Sequence, residues 1–350
     1  MWRDAITSGR QVGYGRIAAG IGVAMLGIGL AVLLTRHRLL SADARRIAPD
    51  RRAQLPDLRE ATLVPAPAKT PAPPTQTRAT VTAARNLNRA AGLLAASVLA
   101  DSAIEHYRGS FHNKAMFTPF VVSSLALAVS AHGVADQRTS AHRVRHLTYV
   151  TTALTGLAGL AFHFYNVGKR PGGFDWVNSF YGAPLGAPVA IALSGLLGAM
   201  AEHIRDTQPG AKPRLLELPA GRATAAVAAV GMLGTMGEAW LLHFRGAFHN
   251  PFMFLPVSLP PAAALLLAAA AVGSKGRSRD FTRWCLRLTS AMGLAGSGFH
   301  AYGVSRNMGG WRNWRQNVLN GPPIPAPPSF TGLALAGLAA VRLIEEHRDA

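Results

Sequence analysis

Long apolar runs separated by short basic blocks dominate the chain from about residue 90 onward. We divide this part into eight apolar segments, at 90–108, 116–134, 146–166, 184–203, 222–244, 253–273, 284–304 and 328–344. Stretches of about 20 apolar residues are long enough to cross the hydrocarbon core of a bilayer as α-helices. The pattern therefore predicts an all-α fold, that of a polytopic helical membrane protein.

A further apolar run lies near the N-terminus, at residues 17–34, and follows several arginines. It is longer than a typical signal-peptide core, and no small-residue cleavage site follows it. We interpret it as one uncleaved N-terminal transmembrane helix within residues 1–35, with a cleaved signal peptide as the weaker alternative. Residues 36–89 are rich in Arg and then in Pro and Ala. This composition offers little apolar surface to bury, which predicts a disordered cytoplasmic linker.

Two stretches of the chain are close copies of each other. DSAIEHYRGSFHN begins at Asp101, and EAWLLHFRGAFHN begins at Glu238, 137 positions later. A constant separation between paired residues indicates an internal duplication. We therefore expect two four-helix repeats, at 90–206 and 222–350, joined by a cytoplasmic connector at 207–221. An even number of helices returns the chain to the side on which it started, so the two repeats should be parallel.

The basic residues predict the orientation of these helices. Lys and Arg outnumber Asp and Glu by 36 to 17, and they cluster in the loops after the second and sixth segments and between the repeats. Such loops face the cytoplasm in membrane proteins. We expect a multi-pass protein of the inner (cytoplasmic) membrane of a bacterium, with a cytoplasmic C-terminus. No basic helix with interleaved aromatic residues is present, so the charge does not predict nucleic-acid binding.

Histidines and carboxylates recur at equivalent positions near the outer helix ends of both repeats. The predicted metal ligands are Asp101, His106, His112 and His163, with Glu238, His243, His249 and His300. Three imidazoles and one carboxylate suit a transition metal, here Fe, Cu, Mn or Zn. Haem b is the competing cofactor, held between His106 and His163 and between His243 and His300. The spacing does not choose between them, because no HExxH or Glu-x-x-His motif is present.

Other paired residues receive accessory roles in this hypothesis. They are Arg108 and Arg245, Asn113 and Asn250, and Tyr165 and Tyr302. The asparagines suit helix caps, and the arginines suit an anion or an ion pair with Asp101 and Glu238. A hydrogen-bonded structural network is the alternative role for the histidines. At the opposite helix ends, we interpret Glu202 and Glu346 as solvated residues.

Three functions follow from these patterns. The first is a membrane oxidoreductase or electron-transfer subunit with a metal or haem at the periplasmic face of each repeat. Its partner would be quinone, or a periplasmic dehydrogenase or electron carrier. The second is a proton- or cation-coupled transporter in which Asp101 and Glu238 carry the ion. The third is a membrane anchor or assembly factor for a periplasmic partner. The lipid bilayer is a partner in all three.

Overall fold

A computed structural model describes residues 75–208, 211–215, 217–273 and 279–346 of the 350-residue chain. The predicted N-terminal transmembrane helix, the predicted linker as far as residue 74 and the last four residues lie outside this part. The described structure is about 80% helical, which confirms the all-α prediction.

Ten α-helices follow one another in the described residues. They are α1 (Thr75–Arg108), α2 (Thr118–Ala135), α3 (Arg143–Gly168), α4 (Trp176–Tyr181), α5 (Gly186–Arg205), α6 (Ala220–Arg245), α7 (Leu255–Ala271), α8 (Arg279–Arg306), α9 (Trp314–Asn320) and α10 (Pro328–Glu346). Short 3₁₀ helices precede α2, α7 and α9, at Lys114–Phe117, Pro251–Phe254 and Gly310–Asn313. Strands β1 (Arg214–Leu215) and β2 (Leu218–Pro219) pair antiparallel between α5 and α6. Below, α1–α5 are the first half and α6–α10 the second half.

Six helical stretches in the described residues are long and apolar enough to cross a membrane. They are Lys114–Ala135, Arg143–Gly168, Gly186–Arg205, Ala220–Arg245, Pro251–Ala271 and Pro328–Glu346. Each overlaps one of the eight predicted segments, which supports a multi-pass membrane protein. The other two predicted segments, 90–108 and 284–304, are also helical, within α1 and α8. These two helices are on average more polar than the other six and are not among the six candidates.

The first helix begins earlier than the sequence pattern suggested. It starts at Thr75, so residues 75–89 are helical, and their assignment to a disordered linker is wrong. Small residues and one leucine along this stretch are fully buried, and they recur every three or four positions: Ala83, Ala84, Leu87, Ala90 and Ala91. This is the spacing of one helix face. A face made mostly of alanine has low hydrophobicity, which is why composition concealed it.

Four helices form the centre of the molecule. Helix α1 packs against α5 of its own half and α10 of the other half, and α6 packs against α10 and α5. In the apolar windows of α5 and α10, 72% and 67% of the residues are buried, against 22%, 28% and 28% for α2, α3 and α7. Helices α2, α3 and α7 therefore expose most of their apolar surface, as lipid-facing helices do.

The central helices are packed more tightly at one end than at the other. All buried residues of α6 lie between Ala220 and Met232, and none lies between 233 and 245. We name the tightly packed end, where α6 begins, the closed end. The opposite end, where α1 and α6 finish, is the open end. Asp101 and Glu238 both lie in the half of their helix that leads to the open end.

Glycine allows neighbouring helices to touch through their main chains. A Cβ added to Gly156 of α3 would overlap the main chain of α5 and lie 2.7 Å from the carbonyl oxygen of Pro188. A Cβ on Gly293 of α8 would lie 2.8 Å from the carbonyl oxygen of Pro327, just before α10. Small residues allow such close approach of helix main chains in membrane proteins.

Gly156→Ala should destabilise the protein by about 1–3 kcal/mol, because the new methyl group forces α3 and α5 apart. The measurement is the unfolding temperature of the purified variant in detergent. Gly234→Ala is the matched control, since a Cβ at Gly234 meets no atom within 4 Å and alanine favours the helix. Equal unfolding temperatures for the two variants would contradict the close contact.

Candidate functional site

The six predicted histidines make one kind of contact. In each ring the Nδ1 atom lies at hydrogen-bond distance from a main-chain carbonyl oxygen. The pairs are His106–Met116 (2.6 Å), His243–Met253 (2.9 Å), His112–Gly109 (3.0 Å), His249–Gly246 (2.9 Å), His163–Pro184 (2.5 Å) and His300–Pro323 (2.7 Å). A carbonyl can only accept, so Nδ1 carries the proton and Nε2 of a neutral ring keeps its lone pair. Each ring thus ties a helix end to a loop.

The predicted metal ligands do not converge on one point. Among the described residues, which include all eight of them, no three His, Cys, Asp or Glu side chains are close enough to hold a metal ion. In the second half, the ring centroids of His243 and His300 lie 6.4 Å apart. The contacts at the histidines are those of a structural hydrogen-bond network, the alternative that the sequence left open.

The loops that follow α1 and α6 have the same conformation. Ser110 and Phe111 have φ angles of 56° and 48°, and Ala247 and Phe248 have 55° and 46°. The left-handed region is rarely occupied by residues other than glycine. In both loops the left-handed residues are therefore the two that follow the helix-ending glycine, and not Gly109 or Gly246 itself. A Cβ at Gly109 would lie 3.0 Å from the Met116 methyl group, the flexible end of that side chain.

The paired asparagines cap the 3₁₀ helices that come next. Asn113 Oδ1 accepts the main-chain N–H of Ala115 at 2.9 Å, and Asn250 Oδ1 accepts that of Phe252 at 3.0 Å. This confirms their predicted role. The paired tyrosines lie at the surface, where Lys169 and Arg306 lie over the rings of Tyr165 and Tyr302 respectively.

Asp101 and Glu238 are half-buried carboxylates at the interface between the two halves. They lie within electrostatic range of each other, and Glu105 lies within range of Glu238. The Glu238 carboxylate lies against Gly186, the first residue of α5, and a Cβ at Gly186 would overlap it. A helix N-terminus favours negative charge, so Glu238 of the second half lies at a favourable place beside a helix of the first half.

The arginines at the ends of α1 and α6 have other partners than these carboxylates. Arg108 pairs with Glu105 at 2.8 Å. Arg245 lies over the rings of Phe180 and Tyr181, with its guanidinium carbon 5.4 and 5.0 Å from the ring centroids. The suggested pairing of Arg108 with Asp101 and of Arg245 with Glu238 is therefore wrong.

Each half contacts the first helix of the other half through a short helix at the open end, α4 or α9. Arg245 of α6 reaches the aromatic rings of α4, and Arg315 of α9 lies 5.5 Å from the Tyr107 ring centroid of α1 and donates to its hydroxyl. Cation–π contacts of this kind contribute about 0.5–2 kcal/mol each. The two contacts are reciprocal. They lie beyond Asp101 and Glu238 along α1 and α6, so α4 and α9 cover the open end of the interface.

A buried ion network at the closed end of the first half was not predicted. Arg145 and Glu202 are both 0% exposed. The Arg145 guanidinium donates to the two Glu202 oxygens at 2.8 and 2.9 Å and to Asp136 at 2.7 Å. Arg205 donates to main-chain oxygens at the end of α2, those of Gly133, Asp136 and Arg138. The interpretation of Glu202 as a solvated helix end is wrong.

Asp136 lies just beyond α2 and stays ionised. Burial of its carboxyl raises the pKa, but hydrogen bonds from the main chain and side chain of Arg138 and from Arg145 outweigh burial and hold the pKa well below its usual range. The interpretation of Glu346 as a solvated residue does not hold either, because Glu346 is half-buried and pairs with Arg342 at 2.9 Å.

The second half has mainly apolar residues where the first half has this network. Residues of α1–α3 have their counterparts 137 positions later in the second half. Residues of α5 have theirs 139 positions later, because the contact of His163 with Pro184 matches that of His300 with Pro323. Asn88, Ser130, Arg145, Tyr149, Glu202 and Arg205 then correspond to Ala225, Leu267, Thr282, Leu286, Val341 and Ile344. A Cβ added to Gly198 would overlap Tyr149, and one added to Gly337 would lie 2.8 Å from Leu286. Similar packing is thus achieved with and without charges.

Glu202→Gln should destabilise the protein by about 3–5 kcal/mol, because it leaves the Arg145 guanidinium buried without a full counter-ion. The double variant Arg145→Thr with Glu202→Val, which copies the second half, should unfold at a higher temperature than Glu202→Gln. The control is Glu217→Gln, whose side chain is 92% exposed. A double variant less stable than the single one would contradict this account of the network.

An apolar recess lies between α3 and α5, away from the candidate residues. Ala153, Leu157 and Leu193 are among the residues that line it, and none of the predicted site residues does.

No family model, curated protein or solved structure matches the chain. Across the interface between the halves, Asp101 and Glu238 lie within electrostatic range of each other.

Proposed function

We propose that the protein is a proton- or cation-coupled transporter of the bacterial inner membrane, in which Asp101 and Glu238 take up and release the ion. In this proposal α1–α5 and α6–α10 are parallel four-helix repeats with one additional short helix each, and the C-terminus is cytoplasmic. One observation carries it: two carboxylates from equivalent positions of the two halves lie within electrostatic range across the interface.

The chemistry of this pair favours ion binding. A carboxylate inside an apolar segment costs about 2.5–3.5 kcal/mol on insertion scales. Two such groups near each other also repel when both are ionised. A bound proton or small cation relieves both costs. Since the Glu238 carboxylate also lies against the N-terminus of α5, loss of its charge would weaken a contact between the halves and so connect ion binding to their relative position.

Helix α1 carries buried polar groups between the closed end and the carboxylates. The side-chain amide of Asn88 lies 3.0 Å from the Tyr149 hydroxyl oxygen, next to the ion network. Ser97 lies 2.9 Å from the Ser329 hydroxyl of α10. From Asn88 to Asp101 the helix rises by about 20 Å. Buried polar residues in apolar helices mark ion pathways, and this series supports a pathway along α1.

Asp101→Asn combined with Glu238→Gln should abolish protein-dependent proton flux, because neither amide can take up a proton. The assay uses proteoliposomes loaded with a pH-sensitive dye and subjected to a pH jump, with and without Na⁺ or K⁺ gradients. Glu217→Gln, on the exposed connector, should keep the wild-type rate. Size-exclusion chromatography separates loss of flux from loss of folding. Wild-type flux in the folded double variant would refute the proposal, as would wild-type protein no faster than empty liposomes.

The oxidoreductase hypothesis is the second candidate, and one observation favours it. The rings of His243 and His300 lie 6.4 Å apart, and both Nδ1 atoms are held by carbonyl groups. This leaves Nε2 of each ring as the atom that can bind a metal. A haem b between the two rings would supply electron transfer to a quinone or a periplasmic dehydrogenase.

The absorption spectrum and elemental content of detergent-purified protein test this candidate. If His243 and His300 bind haem, the protein has a Soret band that His243→Ala abolishes, while the loop variant His249→Ala retains it. A purified protein that lacks both a Soret band and stoichiometric metal, after expression with added iron and haem precursor, removes this candidate.

A further inference from the structure

Helix α8 exposes an arginine on an otherwise apolar face. Phe281, Trp284 and Leu288 are 58%, 59% and 53% exposed and lie at helical spacing on one side of α8. Arg287 is exposed beside them, and its guanidinium carbon lies 5.5 Å from the centroid of the Trp284 ring. In a membrane protein an exposed apolar face on an outer helix contacts lipid. We take α8 to cross the bilayer, although its average polarity keeps it out of the six candidate spans.

Arg287 has no acidic partner among the described residues. The neighbouring Arg283 pairs with Asp280 and Glu345, whereas none of the ion pairs of the described chain includes Arg287. Charged residues in membrane helices almost always face the protein interior or another charge. An unpaired guanidinium on the lipid-facing side therefore requires a partner from the membrane.

The depth of Arg287 suits a lipid headgroup. Helix α8 has 28 residues, which gives a length of about 42 Å, so it exceeds the roughly 30 Å hydrocarbon core by about 6 Å at each end when centred. Arg287 lies about 12 Å from the helix start, hence about 6 Å inside the core. An extended arginine can reach the headgroups from that depth. Its contact with Trp284 directs the side chain toward the closed end.

The first half lacks this pair. The corresponding residues of α3 are Leu147 and Val150, and Leu147 is 54% exposed. Val150 is half-buried and packs against the core, so the fold does not require an arginine at this level of the first half.

We propose that Arg287 and Trp284 bind the headgroup phosphate of an anionic phospholipid, such as phosphatidylglycerol, at the closed end of α8. The guanidinium donates to the phosphate oxygens, the indole holds the guanidinium and contacts the glycerol region, and Phe281 and Leu288 pack against the acyl chains. Further positive charge at the same end of the molecule, including Arg222 and Arg279, favours an anionic over a zwitterionic lipid. This proposal is independent of transport.

Native mass spectrometry of delipidated full-length protein tests the site. With equal amounts of phosphatidylglycerol and phosphatidylcholine, the wild type should retain phosphatidylglycerol preferentially. Arg287→Gln should lower that preference about fivefold, the value expected for one basic residue at the surface. Trp284→Leu, which copies the first half, should lower it as well. Arg342→Gln is the control, because Arg342 is exposed but already paired with Glu346.

A gain-of-function variant complements these losses. Leu147→Trp with Val150→Arg should create a second site and add one retained phosphatidylglycerol per protein, with size-exclusion chromatography as the check on folding because Val150 packs against the core. Inorganic phosphate at the same concentration should not displace the lipid, because it lacks the acyl chains. An unchanged preference in Arg287→Gln would overturn the proposal. So would an equal loss in Arg342→Gln, or a loss that is the same for both lipids.

Discussion

Close packing between small residues of α1, α5, α6 and α10 is the constraint on which the rest of the structure depends. A Cβ on Gly332 of α10 would lie 3.0 Å from the carbonyl oxygen of Ala90 in α1, and one on Gly231 of α6 would lie 2.6 Å from Leu333. Apolar burial does little to hold helices together in a bilayer, so such contacts supply most of the attraction. The buried residues of α6 are concentrated at the closed end, which leaves Asp101 and Glu238 in the looser open end.

The two halves resemble each other closely at the open end and much less at the closed end. At the open end the same contacts occur in both halves, including the stacked rings of Phe111 with Phe117 and of Phe248 with Phe254. At the closed end only the first half has buried charges. A buried ion network is weak evidence for stability, because apolar residues of similar volume often serve as well. The charges around Arg145 therefore indicate a role in specificity or function that the second half does not share.

The sequence predicted those features that depend on local pattern. Hydropathy located the helices, and a constant separation located the paired histidines, carboxylates and asparagine caps. Features that depend on the path of a loop were not predictable, such as the carbonyl partner of His163, 21 residues away. Arg145 and Glu202 are 57 positions apart, and no spacing rule connects them. The alanine-rich start of α1 was missed because small residues pack well without being strongly hydrophobic.

The contact between the two halves can be measured directly by cysteine cross-linking. In a Cys285→Ser background, which removes the one native cysteine, Ser97→Cys and Ser329→Cys replace hydroxyl groups that lie 2.9 Å apart on α1 and α10. A protease site in the connector between α5 and α6 then separates the halves. The account predicts that mild oxidation in membranes keeps the two fragments joined until reductant is added. Fragments of the Ser97→Cys and Ser329→Cys variant that separate without reductant would contradict it. The control pair Ser123→Cys and Ser329→Cys should give separated fragments.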